Sequence, residues 1–183
     1  PAGRAVSERL KQSSPHLKTL VMGTHSSALP ELTLTEEPYT FVCEGEGPST
    51  VLGLLQLLQA GSDKYEKVPG LWYKKNGDLC FNKTAENIMD LDREIPGQAW
   101  DLLDMSKYTS LPNTYKTSSN VFQMVTSRGC PYTCTFCFDA RGTFRQRSVQ
   151  NVIGEIKLLI KEYGIKEVAF WDDIMTMNKR WMH

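Results

Sequence analysis

The sequence predicts an α/β protein, and three observations support this fold class. Short apolar segments alternate with helical segments before residue 60, and a strand, a long amphipathic helix and a second strand follow one another after residue 120. Apolar residues make up 40% of the chain and charged residues 23%, so the chain can bury a core. Alternating strands and helices are typical of a parallel sheet covered by helices.

The first part of the chain predicts a helix at residues 4–14, strands at 17–23 and 39–43, and a second helix at 50–59. A short helical turn is predicted after residues 28–31, between the two strands. Each strand runs into a loop that contains glycine. We therefore expect two strands of a parallel sheet with helices packed on its faces.

The middle of the chain predicts a β-hairpin followed by a connector. Asn76-Gly77 separates two apolar runs, 71–75 and 78–81, and Asn-Gly is the favoured pair for a type I′ turn. Residues 84–118 show no sustained apolar period and contain several turn-forming residues. This segment is predicted to be a connector on the surface.

The last third carries the clearest pattern. Ser148 is suited to cap a helix whose apolar residues recur at three- and four-residue spacing, and Gly164 is suited to end that helix. Residues 121–126 and 167–171, on either side, predict strands. A strand, a crossover helix and a strand form the right-handed β/α unit of barrels and open sheets.

Charge and composition narrow the classes of function. Lysine plus arginine equals aspartate plus glutamate, 21 each, so the net charge gives no indication of nucleic acid or an anionic membrane as a partner. No apolar stretch is long enough to span a bilayer, and the N-terminus lacks a secretory signal. We expect a cytoplasmic protein, and both ends look like cuts within a longer chain.

Three cysteines, Cys130, Cys134 and Cys137, stand in one short segment with the spacing C-x3-C-x2-C. A structural zinc ion and an electron-transfer [4Fe–4S] cluster each take four protein ligands. Three thiolates in one loop therefore suit a [4Fe–4S] cluster whose fourth iron is open to a small molecule. The loop follows a predicted strand, and the carboxyl ends of strands carry the active sites of α/β proteins.

This segment resembles the signature of the radical S-adenosylmethionine (SAM) enzymes. The resemblance implies that Cys130, Cys134 and Cys137 hold a [4Fe–4S] cluster and that SAM binds the open iron through its amino and carboxylate groups. It implies an enzyme in which reductive cleavage of SAM starts radical chemistry, leading to methyl transfer, cyclisation or rearrangement. Phe136 is then expected to flank the bound SAM.

Two further segments are similar to a large branch of this family. Asp172 and Asp173 follow the second predicted strand, and the resemblance implies that one of them accepts a hydrogen bond from the SAM ammonium group. The alternative is that these aspartates cap a following helix. Arg145 and Arg147 precede the predicted helix and are expected to pair with the SAM carboxylate, with substrate, or with acidic neighbours.

The first part of the chain resembles the last strands of the cobalamin-binding (B12-binding) Rossmann-like domain that precedes the barrel in one branch of the family. The resemblance rests on residues 22–25, 29–31 and 42–47, although Met22 and Thr24 stand where the family has glycine and proline. It implies cobalamin-binding residues at Gly23, His25, Gly45 and Gly47. The alternative is that the glycines serve turn geometry alone.

The resemblances together predict three segments. Residues 1–62 are expected to be the C-terminal part of a Rossmann-like domain of the cobalamin-binding type. Residues 63–118 are expected to be the hairpin and connector, and residues 119–183 the first β/α units of a radical SAM barrel, a partial TIM-type barrel. We expect a small-molecule substrate, cobalamin as an additional cofactor, and an electron donor such as flavodoxin or ferredoxin. The isolated segment is expected to be inactive.

The sequence is also compatible with two other classes of protein. A methylthiotransferase that modifies tRNA has the same barrel after a domain with another three-cysteine cluster, but only Cys43 and Cys80 precede the loop here. A non-enzymatic module would hold zinc or an iron–sulfur cluster through the loop cysteines and a distant fourth ligand. That ligand could come from His25, His183, Cys43 or Cys80.

Overall fold

The structure is a computed structural model that describes residues 2–108, 121–137 and 142–182. It divides into two compact units, Pro1–Asn87 and Ile88–His183. None of the helices in these described ranges combines the length and the apolar character that a membrane crossing requires.

The first unit contains four α-helices around a small sheet. The helices are α1 (Ala2–Ser13), α2 (Thr24–Ala28), α3 (Pro30–Glu36) and α4 (Pro48–Gln59). Pro30 and Pro48 stand in the first turns of α3 and α4, where a missing N–H costs nothing. A 3-10 turn, Tyr65–Lys67, lies between α4 and the hairpin.

The sheet of the first unit has four strands in the order β1 (Leu20–Val21), β2 (Phe41–Cys43), β3 (Leu71–Lys75) and β4 (Asp78–Phe81). β1 and β2 are parallel, as the sequence predicts, whereas β2 and β3 are antiparallel. The predicted hairpin is confirmed: Asn76 and Gly77 both have positive φ, as a type I′ turn requires. The hairpin extends this sheet. The predicted boundaries between the three segments of the chain, at 62/63 and 118/119, stay predictions.

The core of the first unit lies between the sheet and α4. Its buried members are Phe41, Leu54, Val68, Leu71 and Tyr73. Val42 and Cys43, on the same strand as Phe41, are completely buried as well. Burial raises the pKa of the Cys43 thiol, because a thiolate would lose its hydration there.

The second unit is built on the predicted β/α unit, which is confirmed. β5 (Val121–Met124) and β8 (Glu167–Phe170) form a parallel pair, joined by the crossover helix α6 (Val149–Tyr163). The side chain of Ser148 caps α6 by accepting a hydrogen bond from Asn151 N at 3.1 Å. Gly164 ends the helix with φ 61°, in the left-handed region.

The remaining elements of the second unit are short. They are α5 (Leu91–Glu94), β6 (Ser127–Arg128), β7 (Arg145–Gln146), α7 (Lys179–Met182) and three 3-10 turns at Trp100–Leu102, Met105–Lys107 and Met175–Met177. The buried core between α6 and the strands consists of Trp100, Met105, Phe122, Met124, Val152, Leu159 and Ile165.

The prediction of a surface connector over residues 84–118 is wrong where the structure describes that segment. Trp100 and Met105 lie in the core, and Ile88 and Leu91 are buried. The apolar residues are anchored by single 3-10 and helical turns, so their spacing follows neither the helical nor the strand period. The rest of the segment, residues 109–120, lies outside the described residues.

Candidate metal centre

A two-residue antiparallel ladder closes the base of the cysteine loop. In it, Ser127 pairs with Gln146 and Arg128 pairs with Arg145, so the chain between β6 and β7 leaves and returns at one place. β6 follows β5 after two residues, which places the loop at the carboxyl end of β5, as the sequence predicts.

Gly129 allows the loop to leave this ladder. Its φ is +74°, and a Cβ at this position would lie 2.2 Å from the carbonyl oxygen of Thr143. Any other residue would therefore meet both left-handed backbone strain and a collision with backbone. Gly129 is therefore the residue at which the chain can turn into the loop.

The structure places all three predicted cluster ligands in the first part of this loop. Cys130 is half-buried, Cys134 and Cys137 are exposed, and none of them is in a disulfide. A backbone hydrogen bond of 3.2 Å from Cys137 N to Cys134 O forms one tight turn between two of them. However, across the described ranges the structure gathers no group of three or more Cys, His, Asp and Glu side chains that could hold a metal ion.

The donor set fits a [4Fe–4S] cluster in its chemistry. Three free thiols within eight residues are the soft ligands that iron–sulfur clusters take. The positions of the sulfur atoms do not by themselves form a site. Metal binding commonly organises the ligands of such loops, so the assignment of the three cysteines stays a prediction.

Phe136, predicted to flank SAM, lies in the same loop with 92% of its surface exposed. A phenyl ring this exposed contributes little to the packing of the unit. Its predicted role stays a prediction.

Asp172 ties the end of β8 to the start of the cysteine loop. Its Oδ1 accepts hydrogen bonds from Thr126 N (2.9 Å), Thr126 Oγ1 (2.8 Å) and Ser127 Oγ (2.5 Å), and its Oδ2 lies 3.1 Å from Thr126 N. The adjoining Trp171 N donates to Met124 O at 2.8 Å, which continues the β5–β8 pairing. These three hydrogen bonds hold the end of β8 to the segment that begins the cysteine loop. We call this set of contacts between Asp172, Thr126 and Ser127 the Asp172 latch.

Asp173 differs from its neighbour. It is exposed, and the part of the chain that the structure describes offers it no hydrogen-bond donor or ion-pair partner. Sequence reasoning could not separate the two aspartates, because the donors that engage Asp172 lie 46 and 45 residues earlier in the chain.

Arg145 and Arg147 are both buried and engaged within the protein. Arg147 Nη2 lies 2.6 Å from Glu155 Oε2, and its other contacts include the carbonyl of Pro96 at 2.7 Å. Arg145 donates to the carbonyl oxygens of Ile88 (2.8 Å) and Thr143 (3.0 Å). These contacts favour a structural role, and the pairing of Arg147 with Glu155 matches the acidic-neighbour alternative that the sequence left open.

Sequence reasoning missed Glu155. This carboxylate, 8% exposed, also accepts hydrogen bonds from Trp100 Nε1 at 2.7 Å and Gln98 N at 3.1 Å. Its position on α6, one residue before the apolar Ile156, was the available signal, because a charge beside the apolar face requires a partner.

Three of the predicted cobalamin residues lie in two loops of the first unit, and the fourth, His25, lies on α2. Gly23, Gly45 and Gly47 all have φ near +100° or above, so the backbone itself requires glycine there. A Cβ on Gly47 would lie 2.1 Å from the methyl carbon of Met22, whereas one on Gly23 would meet nothing within 4 Å. His25 is exposed on α2. Backbone geometry alone accounts for the glycines in these turns. The cobalamin-binding role of these residues stays a prediction.

Comparison with known proteins finds enzymes that are similar to this chain over both of its units. An uncharacterized methyltransferase of Pyrococcus horikoshii is 37% identical over 182 residues, which are 96% of this chain and 37% of the relative. An anaerobic magnesium-protoporphyrin IX monomethyl ester cyclase of Rubrivivax gelatinosus is 27% identical over 176 residues, 93% of this chain and 31% of the relative. No protein-family model matches.

The fold is shared with a solved enzyme. OxsB, a cobalamin-dependent S-adenosylmethionine radical enzyme, superposes on 92% of this chain with a TM-score of 0.68 and 23% identity, over 23% of its own length. The chain belongs to the radical SAM family. Its fold is a partial Rossmann-like domain of the cobalamin-binding type followed by the first β/α unit of a radical SAM barrel. This radical SAM chain spans about a third of the length of the curated relatives it matches.

Proposed function

We propose that this chain is the part of a radical SAM enzyme that holds a [4Fe–4S] cluster through Cys130, Cys134 and Cys137 and presents SAM to it. When bound, the cluster supplies an open iron and one electron for the reductive cleavage of SAM. The protein residues hold the sulfur ligands, orient SAM and exclude water.

One observation carries this proposal: three free thiols lie in a loop whose base is fixed at the carboxyl end of β5, in a radical SAM fold. The Asp172 latch and the β6–β7 ladder hold both ends of the loop, so the cysteines have a rigid base. A rigid base lowers the entropy cost of bringing the three sulfurs together.

The SAM ammonium is assigned to Asp173 rather than Asp172. The sequence left either aspartate open for this role, but Asp172 is occupied by Thr126 and Ser127, whereas the exposed Asp173 has a carboxylate available for a cation. Phe136 is placed beside SAM when the loop closes on the cluster, because an exposed aromatic ring gains by covering an apolar ligand surface.

For the intact protein we propose radical methyl transfer, cyclisation or rearrangement of a small molecule. Its relatives are named as a methyltransferase and a cyclase, which favours these reactions. Cobalamin is the additional cofactor to test at Gly23, His25, Gly45 and Gly47. A reducing compartment such as the cytoplasm would keep the thiols free, and an electron donor such as flavodoxin or ferredoxin would reduce the cluster.

The test is anaerobic reconstitution of the full-length protein, followed by analysis of iron, sulfide, zinc and cobalt. We expect about four irons per chain with equal sulfide, an electron paramagnetic resonance spectrum that changes on adding SAM, and 5′-deoxyadenosine after reduction. Cys134→Ala should lose the iron, while Cys80→Ala, a cysteine on the hairpin strand β4, should keep it.

Other outcomes of this experiment would favour another class of protein. One zinc per chain without sulfide would refute the proposal in favour of a zinc module. A second cluster would favour a methylthiotransferase, although Cys43 is completely buried on β2 and Cys80 lies apart on β4. Iron binding without SAM-dependent spectral change would leave only an electron-transfer module.

A further inference from the structure

The turn at the tip of the hairpin holds two groups that can react with each other. Asn76 and Gly77 are both exposed, with φ of 55° and 94°. Across the residues that the structure describes, no hydrogen bond engages the side-chain amide of Asn76 or the backbone N–H of Gly77. A Cβ on Gly77 would meet nothing within 4 Å, so no neighbouring group shields its nitrogen.

The other asparagines that the structure describes differ from Asn76 in this respect. The side chain of Asn82 donates to two backbone carbonyl oxygens, at 2.8 and 2.7 Å. The side chains of Asn151 and Asn178 each accept a hydrogen bond, at 2.6 and 3.3 Å. Asn87 is exposed, but a β-branched isoleucine follows it and crowds the next backbone nitrogen. In the whole sequence, Asn76 alone is followed by glycine.

We propose that Asn76 is a modification site, at which the folded protein converts spontaneously to isoaspartate. The backbone nitrogen of Gly77 attacks Cγ of Asn76 and forms a C–N bond, while the bond from Cγ to Nδ2 breaks. Ammonia leaves with the proton of the Gly77 amide, and the product is a cyclic succinimide. Asparagine is among the thermally labile residues for this reason.

Water then opens the succinimide. Attack at the backbone carbonyl carbon of Asn76 gives isoaspartate, and attack at Cγ gives aspartate. Neither step requires a cofactor, an oxidant or an enzyme. The inference is therefore independent of the proposed function.

The conversion changes the backbone of the turn. Isoaspartate carries the chain through its side-chain carbon, so it inserts an extra backbone atom into a turn whose geometry matches the twist of the paired strands. Both products also place a carboxylate two residues from the exposed Asp78. Since β3 supplies Leu71 and Tyr73 to the core of the first unit, loosening of its pairing with β4 should loosen that core.

The experiment incubates the full-length protein at mildly alkaline pH, where the attacking amide loses its proton more readily. Peptide mass spectrometry measures the deamidation of each asparagine with time, and electron-transfer fragmentation distinguishes isoaspartate from aspartate. Asn87, which is also exposed, is the internal control. Asn76→Gly is the matched variant, because it removes the reacting side chain while Gly-Gly still suits a type I′ turn.

We expect Asn76 to deamidate at least about tenfold faster than Asn87, because glycine leaves the attacking nitrogen uncrowded. Isoaspartate should exceed aspartate among the products. Hydrogen exchange of the amides of β3 and β4 should become at least about tenfold faster in the converted protein. Asn76→Gly should keep its starting exchange rates through the same incubation.

Two results would overturn the inference. If Asn76 stays intact, or deamidates no faster than Asn87, the folded turn holds the Gly77 nitrogen away from Cγ and the site is not reactive. If the converted protein exchanges its β3 and β4 amides as slowly as the fresh protein does, the modification has no effect on the hairpin.

Discussion

Replacing Asp172 tests whether the carboxylate at the end of β8 holds the cysteine loop or binds a ligand. In Asp172→Ala the donors Thr126 N, Thr126 Oγ1 and Ser127 Oγ lose their acceptor. Thr126 is completely buried and Ser127 is 6% exposed, so water cannot easily replace the carboxylate. Hydrogen bonds to a charged group contribute about 1.5–3 kcal/mol each, and buried donors left unpaired cost a comparable amount.

These bonds share one carboxylate and are not additive, so we expect Asp172→Ala to lower the free energy of unfolding of the second unit by about 2–4 kcal/mol. Asp172→Asn should lose less, about 1–1.5 kcal/mol. Its amide oxygen can take the place of Oδ1, which accepts bonds from all three donors. Its amino group would then face the Thr126 amide in place of Oδ2.

Hydrogen exchange monitored by mass spectrometry gives the required local measurement, since amides of α6 exchange through opening of the second unit. A loss of 2 kcal/mol corresponds to exchange about 30-fold faster. Asp173→Ala is the control, because its side chain is exposed and should change stability by less than about 0.5 kcal/mol. If the two alanine variants exchange equally fast, Asp172 is not a latch and the reasoning from its contacts is wrong.

Three further predictions concern burial and backbone. Cys43 should react with a thiol reagent at pH 8 only on unfolding, because burial raises the pKa of its thiol, while the loop cysteines should react at once. Mass spectrometry measures the labelling of each cysteine, and equal labelling would contradict this. Gly129→Ala should open the β6–β7 ladder and at least halve iron incorporation, whereas Gly154→Ala, with open space at its Cβ, should keep full iron and gain up to about 1 kcal/mol. Glu155→Gln should lower the free energy of unfolding, measured by urea denaturation, by about 3 kcal/mol. The exposed Glu162→Gln should lower it by less than about 0.5 kcal/mol. Similar losses in the two variants would show that the buried ion pair does not stabilise the unit.

The elements that the sequence predicts well are those whose signals are local. Ser148 and Gly164 mark the two ends of α6 within one residue, because capping depends on a side chain or a backbone conformation at the end itself. Asn76-Gly77 predicts the hairpin for the same reason. The sequence does not predict that this hairpin pairs with β2, because Phe41 and Tyr73 are brought together by tertiary packing.

The candidate site also contains features with a local sequence signal and features that depend on distant partners. The three cysteines and their position after a strand are readable from spacing, since all three lie within eight residues. The roles of Asp172 and Arg147 are not, because their partners come from other elements. Asp172 is engaged by donors in β6 and the residue before it, and Arg147 by Glu155 on α6 and by Pro96. A charged residue near a motif is easily assigned to the ligand when its structural partner is distant in sequence.

The buried polar groups near the cysteine loop differ in how completely their charges and hydrogen bonds are matched by neighbours. Asp172 and Arg147 have their charges matched by neighbours, and one oxygen of Glu155 that makes no hydrogen bond still lies 2.6 Å from the Arg147 guanidinium. Among the buried side-chain atoms that the structure describes, this leaves the amide of Gln146 without any compensation. Asp172 and Arg147, whose polar groups are satisfied by neighbours, are therefore explained as structural residues that hold the loop base and α6 in place.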